Sequence, residues 1–357
     1  MSISTGSPSA AWTRERRLRV LGALEQAVDG REARHLQEVV TDNLRHLWRT
    51  GGKKGDDKPG RQPEEVWIRD GFVFTSAEDA HGPALPRLIQ SKGLQLRLYL
   101  LMLFDAQCRH EAGSGARNVR PVSPNNGPYR SWSELVLSAP DRKNAQPMPW
   151  QTVRRLRERQ IKEALVALET QHRLLDVAMA KVGRRRRDFD KLTLLAEDSN
   201  PDRQARYTVA EEQHFSVPRE FFTNLWIFAL TDTELACYLA LRWAQAQVQP
   251  SDHNSFFIVS RERETNLRLT RTTWNSIERL QAFGLIQRTD HPGRDPYSGT
   301  IESFRDKWQA GEVIPARYAF VNDGVQQRAL PTVRDALTNP VAPVRPDPLN
   351  ALLGTTT

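Results

Sequence analysis

The segment Arg268–Arg288 constrains the fold of this chain more than any other stretch of the sequence. Thr270 is a suitable N-cap, and the apolar side chains that follow recur at three-residue intervals and share one helix face: Trp274, Ile277 and Leu280. Gly284 is placed to end this helix in the left-handed region, and Leu285-Ile286 then begins a short strand. The segment therefore predicts a turn, a short helix packed on a core, and the first strand of a β-hairpin.

The opposite face of this predicted helix carries side chains that can hydrogen-bond base edges or phosphates: Arg271, Thr272, Asn275, Ser276 and Arg279. The run Thr-Trp-Asn-Ser-Ile-Glu-Arg-Leu-Gln-Ala-Phe-Gly-Leu-Ile-Gln-Arg, residues 273–288, resembles the recognition helix and wing start of winged helix-turn-helix proteins. This resemblance implies a DNA-binding unit in which the helix enters the major groove and the wing contacts the backbone or the adjacent minor groove.

The charge of the chain favours a polyanionic partner. Its 357 residues carry a net charge of +8 with a pI of about 9.7, which favours nucleic acid or an acidic membrane surface. An arginine-rich genome would also produce such an excess. The charge is clustered, however, since residues 151–191 hold twelve Lys or Arg against six Asp or Glu, a net charge of +6. This clustering favours a local binding surface.

A first winged-helix domain is predicted over residues 65–197. Its elements are an apolar helix at Leu94–Cys108, a short helix opened by the capping box Ser131–Glu134, a third helix at Thr152–His172, and a hairpin formed by Leu174–Val182 and Lys191–Leu195. Four arginines occupy the hairpin tip. The predicted DNA contacts in this domain lie on the third helix and in the wing: Arg154, Arg155, Arg157, Arg159, Lys162, Arg184, Arg185, Arg186 and Arg187.

A second winged-helix domain is predicted over residues 213–322. A capping box at Thr231–Glu234 starts its first helix, Phe256–Val259 forms a short strand, and Ser260 caps its second helix. The wing runs out along Gln287–Thr289 and back along Tyr318–Val321, with an insert at Ser298–Pro315. The predicted contacts are Arg268, Arg271, Thr272, Asn275, Ser276, Arg279 and Arg294. The repeated order of three helices and a wing suggests a diverged internal duplication.

The remaining segments are predicted to connect or extend these two domains. Residues 1–48 form a helical arm with two apolar stripes, which could mediate a homodimer, carry a basic arm, or pack on the rest of the protein. Residues 49–64 and 198–212 are linkers, the first of them flexible, and residues 323–357 form a disordered tail. Within Glu65–Thr75, Asp70-Gly71 indicates a type I′ hairpin.

Motifs for catalysis and cofactor binding are missing from the sequence. There is no P-loop, no HExxH, no GxSxG and no GxGxxG, so we expect no enzyme activity, no cofactor and no metal. Cys108 and Cys237 lie in apolar helical patterns, as buried thiols of a reducing cytoplasm do. No apolar run is long enough to span a bilayer, and no signal peptide is recognisable at the N-terminus. We therefore expect a cytoplasmic, nucleoid-associated protein without a membrane partner.

Together these features predict a mainly α protein with small β-wings, in which two tandem winged-helix domains follow an N-terminal helical segment. The predicted function is sequence-specific binding of double-stranded DNA at an operator or an origin, with a transcription regulator favoured. The tandem arrangement also resembles plasmid replication initiators, which makes an initiator of a plasmid or mobile element the first alternative. A winged-helix module for protein interaction or chromosome organisation is the second.

Overall fold

The computed structural model describes residues 8–29, 34–55, 58–76, 78–91, 93–138, 149–179, 187–197, 205–210, 214–248, 255–289 and 316–340. Within these ranges the protein is mainly α-helical with small antiparallel two-stranded sheets, as predicted. The helices are α1 (Pro8–Gln26), α2 (Leu36–Thr50), α3 (Ala84–Gln90), α4 (Gln95–Arg109), α5 (Trp132–Leu135), α6 (Trp150–Thr170), α7 (Glu220–Thr223), α8 (Trp226–Ala229), α9 (Asp232–Ala246), α10 (Ser260–Thr265), α11 (Arg271–Trp274), α12 (Ile277–Ala282) and α13 (Ala329–Thr338). The strands are β1 (Val28–Asp29), β2 (Arg34–His35), β3 (Glu65–Ile68), β4 (Leu175–Met179), β5 (Arg187–Leu194), β6 (Phe215–Pro218), β7 (Ile286–Thr289) and β8 (Arg317–Phe320).

Helices α4 and α9 form the centre of the core. Both sequences are apolar almost all round, and both helices are buried over most of their length. The two predicted capping boxes are confirmed: Glu134 accepts from the backbone N–H of Ser131 at 2.7 Å, and Glu234 accepts from that of Thr231 at 2.9 Å. Cys108 on α4 and Cys237 on α9 are fully buried, and burial raises the pKa of both thiols.

The helix, helix, helix and hairpin order predicted for the first unit is confirmed, as α4, α5, α6 and the β4–β5 pair. Helix α6 packs on α4, α5 and β4. Apolar side chains alternate along the hairpin, so that one face closes the core: Leu175, Val177, Leu192 and Leu194. Strand β5 begins at Arg187, four residues earlier than predicted, while the predicted end of the first strand at residues 180–182 lies outside the described residues; the short helix α5 ends at Leu135.

In the second unit, α9 is followed by a one-residue bridge, three short helices and the β7–β8 pair. Phe256 and Tyr318 exchange two backbone hydrogen bonds of 2.8 Å, so the segment that precedes α10 joins the edge of β8. The predicted short strand is reduced to this bridge. The prediction that Ser260 caps α10 is wrong, because Val259 occupies the N-cap position and Ser260 is already helical. The predicted insert at 298–315 lies outside the described residues.

The hairpin predicted around Asp70-Gly71 is wrong. Asp70–Phe72 forms a 3₁₀ turn instead, and β3 pairs with β6 in an antiparallel ladder in which Val66 faces Val217. Phe72, the last residue of the turn, and Val73, directly after it, are both fully buried, so burial does not alternate here as it does in a half-buried strand. The ladder joins the two predicted units, and the hydrophobic core is continuous through both.

The N-terminal helices pack on the rest of the chain, which was one of the three interpretations of their apolar stripes. Helix α1 contacts α2 and α13, while α2 contacts α4, α5 and α7. The stripe of α2 is buried: Leu36, Val40, Leu44 and Leu47. Residues of the predicted flexible linker follow the same surface, since Gly60 donates to the carbonyl of Arg49 at 2.7 Å and Lys53 bridges Tyr129.

Two segments predicted as connections or tail are also built into the core. Tyr207 is fully buried, and its backbone N–H donates to the carbonyl of Leu194 at 2.9 Å. Arg69, directly after β3, donates to Glu197 at 2.9 Å and to the carbonyl of Thr208 at 2.8 Å. In the predicted disordered tail, α13 packs on α1 and α8, because Ala329, Leu330 and Val333 provide a buried apolar stripe.

Candidate nucleic-acid interface

Helix α6 exposes a cationic stripe because its apolar residues occupy the other face. Ile161, Leu165 and Leu168 are fully buried against the core. Arg155, Arg159 and Lys162 are exposed, and their spacing of four and then three residues places them on one side of the helix. At a rise of about 1.5 Å per residue this stripe is roughly 10 Å long, close to three base-pair steps of duplex DNA.

The cations of α6 differ in how far their charge is compensated. Arg154 donates to Glu158 at 2.9 Å and Arg159 to Glu163 at 2.7 Å, both within the helix. Arg155 and Lys162 have no carboxylate partner within the described part of the chain. These two residues are therefore the exposed cations of α6 whose charge no carboxylate of the described residues compensates.

Arg157 does not belong to this surface, contrary to the prediction. It is only 6% exposed and lies on the buried side of α6, four residues before Ile161. A spacing of four residues returns to the same helix face, so the apolar face and Arg157 must point the same way. Its inclusion among the predicted contacts rested on its arginine neighbours and not on its position around the helix.

The first wing is described only in part. Arg187 begins β5 and donates to Glu169 of α6 at 2.5 Å, which fastens the hairpin to its own helix. Arg184, Arg185 and Arg186 lie outside the described residues. Their predicted contact with DNA stays a prediction.

The recognition helix predicted in the second unit is divided into two short helices. Thr270 caps α11, since its hydroxyl accepts from the backbone N–H of Thr273 at 3.2 Å. Asn275 and Ser276 separate α11 from α12, and the N–H of Ser276 donates to the carbonyl of Thr273 at 3.1 Å in a 3₁₀-type bond. Gly284 has a φ of 70° and ends α12 as predicted.

The exposed face of this pair is polar and only weakly charged. Arg271, Thr272 and Asn275 are exposed, whereas Ser276 is 6% exposed and faces the core. The prediction that Ser276 contacts DNA therefore does not fit its position. Glu278 is also exposed on α12, so the net positive charge of the face is small.

Arg279 and Arg268, both predicted to contact DNA, make internal contacts. Arg279 is 46% exposed and lies 3.4 Å from the fully buried carboxylate of Glu234. The same carboxylate accepts hydrogen bonds of 2.5 and 2.7 Å from Arg17 of α1. Arg268 has a positive φ of 49° and donates to the carbonyl oxygens of Asp79 and Ala80. Arg294 lies outside the described residues.

A segment of the first unit supports the turn between α10 and α11. The side chain of Asn266 donates to the carbonyl of Thr75 at 3.0 Å, and Arg268 holds residues 79 and 80. Gly82 lies so close to the Arg268 guanidinium that a Cβ there would be 2.5 Å away. The turn that positions α11 is therefore held from outside its own unit.

The loop between α4 and α5 is held by buried charges. Asp105, 2% exposed, accepts from Arg120 at 2.6 Å and from Arg109 at 2.8 Å. Arg120 is fully buried and also donates to the carbonyls of Gly51 and Arg130 at 3.1 Å. Burial raises the pKa of Asp105, but the two guanidinium groups outweigh burial and hold that pKa below its ordinary value.

Two exposed arginines near the second unit's polar face were not among the predicted contacts. Arg261 lies at the start of α10, and Arg288 lies on β7. Their positions in the predicted second helix and in the predicted wing could have placed them among the predicted contacts. Arg261 precedes the α11–α12 pair in sequence and Arg288 follows it.

The described residues contain no cluster of His, Cys, Asp or Glu suited to a metal ion. No helix among them has the length and apolar character needed to cross a bilayer. Comparison of the chain with protein-family models, with curated proteins and with solved structures gives no significant match.

Proposed function

We propose that this protein binds double-stranded DNA through α6 and through the α11–α12 pair, each acting as the recognition helix of a winged helix-turn-helix unit. The main support is the order of elements in the second unit: α9, the Phe256 bridge, α10, a turn, α11–α12 and the β7–β8 hairpin. In this order the exposed polar face of α11–α12 lies between a helix-turn-helix corner and a wing, where base contacts are made.

The two helices are suited to different parts of the duplex. The stripe of α6, with Arg155 and Lys162 uncompensated among the described residues, suits phosphate groups. Asn275 lies exposed at the junction of α11 and α12 and can bond adenine in a bidentate manner. We assign most of the base discrimination to α11–α12 and most of the salt-dependent affinity to α6.

The DNA site is an operator in this proposal, so the protein acts as a transcription regulator. Repeated short sites at a replication origin would identify it instead as an initiator of a plasmid or mobile element. One structural feature favours the protein-interaction alternative: the α12 face carries Glu278, and Arg279 is partly engaged by Glu234. A weakly charged third helix is less suited to DNA and better suited to a protein surface.

Selection from a random duplex library with the full chain tests the proposal, followed by titration of the selected duplex at several salt concentrations. We expect a defined motif and a steep fall of log K with log salt. Two half-motifs would indicate that both helices read bases, and one half-motif that α6 contributes backbone contacts only. Absence of duplex binding near physiological salt would reject the DNA proposal and favour the protein-interaction alternative.

A further inference from the structure

A cleft beside the start of α6 collects cationic and amide side chains from four separate elements. Its volume is about 740 Å³, and it lies between β2 and α2, the loop before α5, α5 itself and the first turns of α6. The residues that matter for its chemistry are Arg34, Arg130, Arg154, Arg157, Asn125 and Trp150. A cleft of this size can hold a ligand as large as a nucleotide.

The charges that line the cleft are positive in balance. The four arginines are opposed by two carboxylates, Asp42 and Glu134. Arg34 neutralises Asp42 at 2.5 Å, while Oε2 of Glu134 accepts from the backbone and hydroxyl of Ser131 at 2.7 Å. The acids of the cleft are therefore already occupied. When Glu158 is included, which lies outside the lining and pairs with Arg154 at 2.9 Å, the four arginines face three carboxylates and keep an excess of one positive charge.

Arg130 and Arg154 have hydrogen-bonding capacity left for a ligand. Arg130 is 3.8 Å from Glu134, too far for a hydrogen bond, and its buried Nε has no partner among the described residues. Arg154 uses Nε for its bond to Glu158, so its two Nη groups take no part in that pair. Guanidinium groups with such open donors suit the oxygens of a phosphate.

The walls of the cleft are fixed in advance. Asn43 donates from its side chain to the carbonyl of Glu134 at 2.8 Å, which joins α2 to α5. Arg120 holds the carbonyl of Arg130 at 3.1 Å through its buried guanidinium. A binding site whose side chains stand on fixed backbone loses little entropy when a ligand enters.

The remaining lining groups match the other parts of a nucleotide. Trp150 is half-buried at the first position of α6 and offers a ring on which a base can stack. Asn125 contributes an amide, and the start of the 21-residue helix α6 has no acidic residue in its first turn. The helix N-terminus adds a partial positive charge to that of the arginines.

From the cationic balance, the open guanidinium donors and the aromatic ring, we infer that this cleft binds the phosphate group of a nucleotide. The nucleotide is either part of a DNA strand bound along α6 or a free mononucleotide. Binding of a DNA strand in the cleft rests on the proposed DNA binding, whereas binding of a free mononucleotide does not. Arg154 lies in the same helical turn as Arg155, the first member of the exposed stripe, and points about 100° away around the helix axis, so a strand that follows the stripe passes within one turn of α6 of the cleft.

The test uses the full chain and two probes: ATP labelled on its ribose with a fluorophore, and a duplex that the wild-type protein binds or, failing that, a random-sequence duplex. The variant Arg130→Gln/Arg154→Gln removes two charges from half-exposed positions and leaves the buried Arg157 in place. Arg49→Gln, an exposed arginine of α2 outside the cleft, is the matched control, and thermal melting verifies folding of both.

A free nucleotide is the source if the wild type binds labelled ATP, inorganic phosphate competes, and the double variant loses at least tenfold in affinity with duplex binding unchanged. A DNA strand is the source if the double variant loses at least tenfold in duplex affinity and its salt slope falls by about two. The inference is overturned if the double variant matches Arg49→Gln with both probes. If the wild type binds no duplex, the DNA proposal fails and labelled ATP alone decides; binding of neither probe overturns both.

Discussion

The third helices of the two units differ in length, continuity and charge. Helix α6 runs unbroken over 21 residues and exposes Arg155, Arg159 and Lys162 in a row. The corresponding α11–α12 pair is interrupted at Asn275 and exposes Thr272 and Asn275 together with the charged side chains of Arg271, Glu278 and Arg279. Long cationic side chains reach phosphates whatever the sequence between them, whereas base edges require short, positioned donors and acceptors. In the proposed DNA complex, α6 therefore supplies most of the affinity and α11–α12 most of the base discrimination.

The first helices of the two units are alike in one respect, since each carries a buried carboxylate that accepts from two arginines. The partners of Asp105 on α4 both lie nearby in the same unit, whereas Glu234 on α9 accepts from Arg17 of α1. The second unit therefore depends on the N-terminal helix for its charge balance. The first unit does not.

The largest expected effect follows from removing Glu234. We expect Glu234→Ala to lower the free energy of unfolding by about 3–5 kcal/mol, because Arg17 would remain buried without its carboxylate. Chemical denaturation measures this loss, and hydrogen exchange should report faster opening of α1. Glu278→Ala, an exposed acid of α12, is the control and should change stability by less than about 0.5 kcal/mol. A loss below 1 kcal/mol in Glu234→Ala would show that α1 is held by its apolar contacts alone.

The second largest expected effect is a dependence of stability on pH that arises from His172 in the first unit. His172, just beyond the end of α6, is 6% exposed; burial, together with the nearby charge of Arg87, lowers its pKa to about 4. A lowered pKa in the folded state means that stability is present above the unfolded value of about 6.5 and is lost as pH falls towards 4. The loss should reach up to about 3 kcal/mol.

His172→Gln should remove this part of the pH dependence. Melting temperatures between pH 7.5 and 4.5 measure it, with the exposed His35→Gln as the control. Identical pH profiles for the wild type and His172→Gln would mean that His172 binds a proton equally well in both states.

The third effect concerns base discrimination in the second unit. We expect Asn275→Ala to weaken binding to the selected duplex by about 1–3 kcal/mol and to leave unrelated duplexes unaffected. Fluorescence anisotropy with both duplexes gives the two losses. Gln327→Ala, an exposed amide outside this face, should have no effect on either. An equal loss on both duplexes would place Asn275 on the backbone and remove the proposed difference between the units.

The fourth effect concerns the stripe of α6. Arg155→Gln should weaken all duplexes by roughly 1 kcal/mol and reduce the salt slope by about 1, because one phosphate contact is lost. Arg159→Gln is the matched comparison, since Glu163 already compensates that charge at 2.7 Å. The loss should be smaller in Arg159→Gln. A sequence-dependent loss in Arg155→Gln would mean that α6 also reads bases.

Local signals in the sequence were sufficient to predict the helices that carry Arg155 and Asn275. The capping boxes at Ser131 and Thr231, the cap at Thr270 and the stop at Gly284 all involve partners within a few residues. Such signals act before tertiary structure forms, so they can be recognised without it. The exposed positions of Arg155 and Asn275 follow from the same helical periodicity.

Long-range pairings could not be predicted in the same way. Strands β3 and β6 are about 150 residues apart, and neither sequence contains a feature that identifies the other strand as its partner. Arg157 was predicted to contact DNA, and Arg17 belongs to the segment for which a basic arm was one of three interpretations, yet both side chains are buried. The burial of Arg17 depends on Glu234, a residue more than two hundred positions away. The cleft beside α6 likewise arises only when four distant elements meet.

The smallest effect concerns how the two third helices end. The chain leaves α12 through Gly284 with a φ of 70°, and it leaves α6 through Arg173 with a φ of 54°. A side chain costs about 1 kcal/mol in this left-handed region. We expect Gly284→Ala to lower the free energy of unfolding by about that amount, since its Cβ would meet no atom within 4 Å. In Arg173→Gly a similar relief is offset by the greater freedom of the unfolded chain and by loss of the interaction that the Arg173 side chain makes, so we expect no net gain in stability.

Chemical denaturation of both variants measures this difference. A Cβ on Gly324 would lie 2.3 Å from the carbonyl oxygen of Gly284, so the backbone on either side of the turn is in close contact. If Gly284→Ala costs more than about 2 kcal/mol, the strain exceeds that of the left-handed conformation, and this contact prevents the turn from relaxing. A cost of about 1 kcal/mol would mean that the left-handed conformation alone accounts for the glycine, and that the chain leaves α12 through the same conformation as it leaves α6.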